Sequence, residues 1–192
     1  ETGMDALTHG LEALASTRAN YVSDILATQS AIDIMETLPI AYENGADMHA
    51  REIMLQASMV AGMAFTNVSL GIVHSMAHTL GGMFHVAHGL ADAILLPYII
   101  RYNSTDAKAK EVYDTFAKKV GAENLYEAVE KLNKRLNIPS CLQEVIPDEA
   151  AFVEKLDEMA ALAKADGCTK TNPIIPELEE FKELFMKAYR GE

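Results

Sequence analysis

Cysteine is scarce: Cys141 and Cys168 are the only two in 192 residues. A disulfide framework is thereby excluded, and a reducing, cytoplasmic setting is the expectation. Strand signals are nearly absent, since no run of alternating Val, Ile, Thr and aromatic residues is bounded by tight turn pairs. Long hydrophobic runs are missing too. The longest, ADAILLPYII, is about half a membrane span and contains Asp92 and Pro97, so a soluble protein is expected, with no membrane partner. Basic charge is sparse. A net charge of −12, with Lys and Arg scattered, argues against nucleic acid as a partner. The first residues, ETGMDALTHG, lack a basic region followed by an apolar run, so no secretory signal is expected. They also lack an initiator Met, which suggests a fragment of a longer chain. The 192 residues fit one domain, residues 1–192, large enough to bury a core.

Helix signals fill the space that strands leave. Residues 22–38 place Val22, Ile25, Leu26, Ile32 and Met35 on one stripe, which Pro39 is expected to end. Residues 50–65 become apolar nearly all round, the pattern of a helix at the centre of a bundle against which the metal-ligand helices would pack. Thr105 or Asp106 can open a helix that Gly121 closes. Ser140 with Gln143 reads as a capping box, and Asp148 can cap a helix carrying Phe152, Val153, Leu156, Met159 and Ala160. Pro176 suits a first turn, and Gly191 follows the last helix. The fold class is therefore all-α, a multi-helix bundle of about eight or nine helices without a sheet.

The histidines stand where metal chemistry would want them. Asp5 and His9 are four residues apart, and His74, His78, His85 and His88 fall within GIVHSMAHTLGGMFHVAHG. Partners four apart share a helix face, so Asp5 lies with His9 and His74 with His78. Their flanks (Ile72, Val73, Met76, Ala77, Leu80) would carry several imidazoles into a dry core, where a shared divalent transition metal satisfies them together. A lone histidine in such a helix is ordinarily a hydrogen-bonded core residue; the clustering favours a metal. Gly81 and Gly82 could turn the backbone between the two histidine segments or let a cofactor lie close.

The segments GMDALTHGLEA, LPIAYENGAD, AGMAFTN, LGIVHSMAHTLGG and HGLADAILLPYIIRYN, in this order, resemble the C-terminal helical domain of the iron-containing (group III) alcohol dehydrogenases, a dehydroquinate synthase-like fold. The strong match spans about residues 3–103, and a weaker one runs on through KLNKRLNIPS and GCTKTNP. The resemblance implies that Asp5, His9, His74 and His88 hold Fe²⁺, with Zn²⁺ as a substitute. It makes His78, a ligand by spacing alone, a proton-transfer residue instead. Phe65 and Cys168 would border the substrate cavity, while His85 matches no ligand and belongs beside the site or on the surface. Thr79, Asp92 and Ile174 depart from the usual Pro, Asn and Arg, which is expected to affect substrate choice and packing rather than metal binding.

The implied activity is oxidation of small alcohols to aldehydes or ketones, or the reverse, with NAD(P). No Gly-rich loop follows a strand here, so the dinucleotide would be held by an N-terminal domain outside this chain, in a protein expected to be a homo-oligomer. Two other readings stay open on the residues. A metal-dependent hydrolase could use the same ligands, but the nearest acid, Glu12, lies on the Asp5 helix and not in an H-E-x-x-H arrangement. A non-enzymatic helical metal-binding module would have a closed and often Cys-rich site.

Overall fold

Polar caps set the ends of most helices. Asp47, Asp106, Asn124 and Asp148 each accept a backbone N–H from the first turn that follows them, and Asn20 forms a reciprocal box with Ser23. In the computed structural model, which describes residues 1–192, the result is nine α-helices, two short 3₁₀ turns and no strand. The helices are α1 (Thr2–Ala15), α2 (Tyr21–Glu43), α3 (Met48–Val68), α4 (Ile72–Phe84), α5 (His88–Asn103), α6 (Ala107–Lys119), α7 (Leu125–Arg135), α8 (Glu149–Ala165) and α9 (Leu178–Arg190). No single helix is long and apolar enough to cross a membrane.

The central helix is α1, not the 50–65 segment. Ten of its residues, from Met4 to Ala15, are buried. It packs against α2, α3, α5 and α6. Helix α3 is an outer element: Ala57, Ala61 and Ala64 face inward, while Leu55, Met59 and Met63 are at least half exposed. Its apolar residues encircle the helix, so composition alone could not say which side meets the bundle. The stripe on α2 is likewise displaced. Val22 and Ile25 are exposed, and the fully buried line is Ala27, Ala31 and Ile34 with Ser23 and Ser30. Small residues win this face because α1 comes close: a Cβ on Gly10 would lie 3.3 Å from Ser30 Oγ and 3.4 Å from the Ala27 carbonyl oxygen. Pro39 does not end α2, which runs on to Glu43. Burial of Thr37 and Pro39 against neighbouring helices outweighs the one backbone bond a proline removes.

Three further expectations shift. Gly81 and Gly82 are ordinary residues within α4, and His85, in the left-handed conformation (φ 55°), makes the turn into α5. Ser140 pairs with Glu144 and not Gln143: its N–H and hydroxyl both donate to Glu144 Oε1, at 2.8 and 2.9 Å, around a 3₁₀ turn. Val153 is exposed, although Phe152, Met159 and Ala160 are buried.

The segment 168–172 locks α4 in place. Asn172 Oδ1 accepts the Ile72 N–H at 3.2 Å, and its amide also pairs with that of Asn103 at the end of α5. Thr171 donates to the Leu70 carbonyl at 2.6 Å, and the Thr169 and Ser75 hydroxyls meet at 2.7 Å. Buried polar groups are thus matched across sequence separations of about a hundred residues.

Two glycines test this packing in opposite directions. Gly10→Val forces a branched side chain into the α1–α2 contact and is expected to destabilise by about 1–3 kcal/mol. Gly62, in mid-α3, has nothing within 4 Å of an added Cβ. Gly62→Ala should therefore stabilise by about 0.5–1 kcal/mol. Urea unfolding of both variants checks the pair, and a neutral Gly10→Val would contradict the close approach.

Candidate metal centre

Asp5, His9 and Glu12 fall at i, i+4 and i+7 along α1, one face of the helix. That face meets the N-terminus of α4. Glu12 is buried, and both its oxygens are used: Oε1 accepts the Val73 N–H at 2.8 Å, and Oε2 accepts from His74 Nδ1 at 2.6 Å. Gly71, which precedes α4, has to be small, since a Cβ there would lie 2.7 Å from Asn172 Oδ1 and 2.9 Å from Glu12 Oε1. A carboxylate only accepts, so the Nδ1 proton is fixed on the Glu12 side and His74 Nε2 is turned toward Asp5 Oδ1, 3.4 Å away.

The remaining groups gather around that pair. His9 Nε2 is 3.3 Å from Asp5 Oδ1, and its ring lies between those of His74 (4.7 Å) and Phe65 (4.4 Å). His88 opens α5, and its Nε2 is 3.7 Å from Asp5 Oδ1 and 3.2 Å from Asp92 Oδ2. Gly89 permits this approach, because a Cβ on it would sit 2.6 Å from the Glu1 carbonyl oxygen and 3.3 Å from Asp5 Cβ. One donor atom each from Asp5, His74, His88 and Asp92 lies within 4.8 Å of all the others. His9 borders this set from the Phe65 side.

The charges are strongly coupled. Burial alone would lower His74, but the Glu12 and Asp5 carboxylates raise its pKa to about 10. His9 is lowered to about 4 by burial and by the neighbouring His74. Burial would raise Asp5, yet the surrounding imidazoles His74, His9 and His88 hold it below the usual carboxylate range. Burial pushes Asp92 up to about 8 against the attraction of His74. Three of the residues keep buried atoms without any hydrogen-bond partner: Asp5 Oδ1, His74 Nε2 and both oxygens of Asp92. Polar atoms orphaned together in one spot are what a bound cation satisfies, the cation taking the place of the imidazole proton, and a carboxylate and imidazole donor set suits iron and its first-row neighbours.

His78 lies one turn beyond His74 on α4, at the mouth. Its Nδ1 pairs with Asp166 Oδ2 at 2.8 Å, and its ring stacks on His88 with centroids 5.4 Å apart. Asp166 Oδ1 also accepts the Cys168 N–H at 2.8 Å. The Cys168 thiol is half-buried, and that burial raises its pKa to about 12, so it stays protonated. His85 is exposed and distant from these contacts in role: it caps α4. The side chains of His78 and His88 are 45% and 43% exposed, so the centre is open on one side while His74 beneath is sealed.

Two residues play a part here that the sequence reading does not give them. Glu12, weighed there only as a hydrolytic base, shares the Asp5 face at i+7 and orients His74. Asp92, read there as a departure bearing on substrate choice and packing, stands 3.2 Å from the His88 ring nitrogen, four residues along the same face.

The sequence pattern described as "Fe-containing alcohol dehydrogenase family, C-terminal" matches residues 1–189. The chain belongs to the iron-containing alcohol dehydrogenase family. Among relatives in that family, the NADPH-dependent butanol dehydrogenase of Clostridium saccharobutylicum is 41% identical over 99% of this chain and 50% of its own length. Alcohol dehydrogenase 4 of Saccharomyces cerevisiae is 39% identical over 98% of this chain, again half its own length. The structure of the iron-containing alcohol dehydrogenase from Thermococcus thioreducens superposes with a TM-score of 0.93 at 36% identity, over 100% of this chain and 50% of that one. The chain thus spans about half the length of these alcohol dehydrogenases and matches their C-terminal part.

If Glu12 orients His74, its removal must be felt at the metal. Glu12→Ala leaves the Val73 N–H and His74 Nδ1 unpaired and is expected to weaken Fe²⁺ or Zn²⁺ binding by about 10–100-fold. Competition against a chelator measures this, and unchanged affinity would contradict the role.

Proposed function

We propose that this chain is the metal-holding half of an alcohol dehydrogenase in which Asp5, His9, His74 and His88 bind one divalent cation, Fe²⁺ natively and Zn²⁺ as a substitute. The observation that carries the reading is the burial of His74 Nε2 and Asp5 Oδ1, 3.4 Å apart and unpartnered, with two further imidazoles beside them. When bound, the cation supplies Lewis acidity that lowers the pKa of an alcohol oxygen or polarises a carbonyl. Everything else falls to the protein. Glu12 fixes the His74 ring, Phe65 and Cys168 border the space for a small alcohol or aldehyde, and the open side gives substrate entry. His78, held at Nδ1 by Asp166, presents Nε2 to move the hydroxyl proton.

The hydride acceptor is NAD(P), held by an N-terminal dinucleotide-binding domain that this chain would meet at the open side. The complete protein is proposed to be cytoplasmic and homo-oligomeric. Support for the enzymatic reading over the other two is specific. Glu12, the nearest acid that could serve a hydrolase as base, has both oxygens engaged by the Val73 N–H and His74 Nδ1. A structural site is closed, and this one exposes nearly half of His78 and His88.

The proton-transfer role separates from ligation experimentally. In the complete enzyme, His78→Ala is expected to retain full metal and lose about 10²–10⁴ in turnover. Metal content and steady-state rates on the same preparation check this. Loss of metal with helicity intact would make His78 a ligand, and normal turnover would remove it from the chemistry.

A further inference from the structure

We infer that Asp92 is a direct oxygen ligand of the same cation, so that two carboxylates and not one enter the metal site. The inference rests on the metal reading above and deepens it. Asp92 is fully buried, and neither of its oxygens has a hydrogen-bond partner. No Lys or Arg pairs with it; besides the Asp5 carboxyl, its near polar neighbours are His88 Nε2 at 3.2 Å and His74 Nε2 at 3.9 Å. Those are the ring nitrogens that face the metal.

The chemistry of the imidazoles decides the matter. His74 Nδ1 already gives its proton to Glu12, so in the neutral ring Nε2 carries a lone pair. Once His74 and His88 direct their Nε2 lone pairs at a cation, neither has a hydrogen left for Asp92. A buried carboxylate then has one remaining partner, the cation itself. The geometry allows it, because the Asp92 oxygen belongs to the set of donor atoms within 4.8 Å of one another, alongside Asp5, His74 and His88. Its position four residues after His88 puts both on one face of α5.

Two consequences follow. Asp5 and Asp92 together neutralise a divalent charge, and the added hard oxygen shifts preference toward Mn²⁺ and Fe²⁺ relative to Zn²⁺. In the isosteric Asp92→Asn protein, Mn²⁺ affinity is expected to fall more than the roughly 100-fold that loss of a merely supporting hydrogen bond can produce. Zn²⁺ affinity should fall less. The visible bands of the Co²⁺-loaded protein should intensify as the coordination number drops. A loss of Mn²⁺ affinity smaller than about 100-fold would overturn the inference and leave Asp92 as a neutral acid standing in for an amide.

The unmutated protein gives a second test that does not depend on the variant folding. A crystal structure of the Mn²⁺-loaded protein is expected to place an Asp92 oxygen within about 2.6 Å of the ion, the outer limit of oxygen ligation to hard divalent cations. Mn²⁺ on Asp5, His74 and His88 with both Asp92 oxygens beyond that limit would overturn the inference alone. Mn²⁺ bound away from His74 would overturn the metal reading with it.

Discussion

The Glu12 carboxylate, bound between the Val73 N–H and the His74 ring, is the contact on which the centre depends. It joins the central helix α1 to the start of α4 in the interior, and it chooses which nitrogen of His74 faces Asp5. Without it, a buried imidazole could present either edge. With it, Nε2 is the edge aimed at the Asp5 carboxylate, 3.4 Å away, and it is the nitrogen whose lone pair is free whenever the ring is neutral. The helix ends do the rest of the positioning. Asn172 and Asn103 tie the start of α4 to the end of α5, and Gly71 and Gly89 bring both helices against α1 more closely than any side chain would allow.

The packing explains why a site this polar can sit in a helical core. One row of small residues, Gly10 on α1 against Ala27, Ser30 and Ala31 on α2, sets the helix spacing on the far side of α1. The core around it is filled by Leu7, Leu11, Ile72, Met76 and Ile94, all within 1% of complete burial. Burying each such side chain stabilises by about 1.5–3 kcal/mol. That apolar support carries the polar centre, and each of its unpartnered buried atoms costs the fold stability.

Much of this was legible in the chain. Asp106, Asp148 and Gly191 marked true helix ends because capping is local chemistry, and of the clustered histidines His74 and His88 do converge on Asp5. What stayed hidden depended on long-range packing. Apolar residues surround α3, so its inward face could not be chosen in advance, and Pro39 ends nothing because tertiary contacts hold the helix past it. His85 makes the turn that Gly81 and Gly82 seemed placed to make. Asp92 sits between Ala91 and Ala93 in an apolar helix, and only the approach of α1 and α4 shows which polar groups it faces.

One divalent cation held between α1, α4 and α5 is the central claim, and thermal unfolding of the metal-free protein with added Fe²⁺ under anaerobic conditions tests it most directly. Binding to the folded state alone should stabilise by about 2.7 kcal/mol at a free metal concentration a hundred times Kd, seen as a rise in Tm. The expected result is that rise in the unmodified protein and none in His74→Ala. An equal rise in both, or none in either, would contradict a metal centre at these residues.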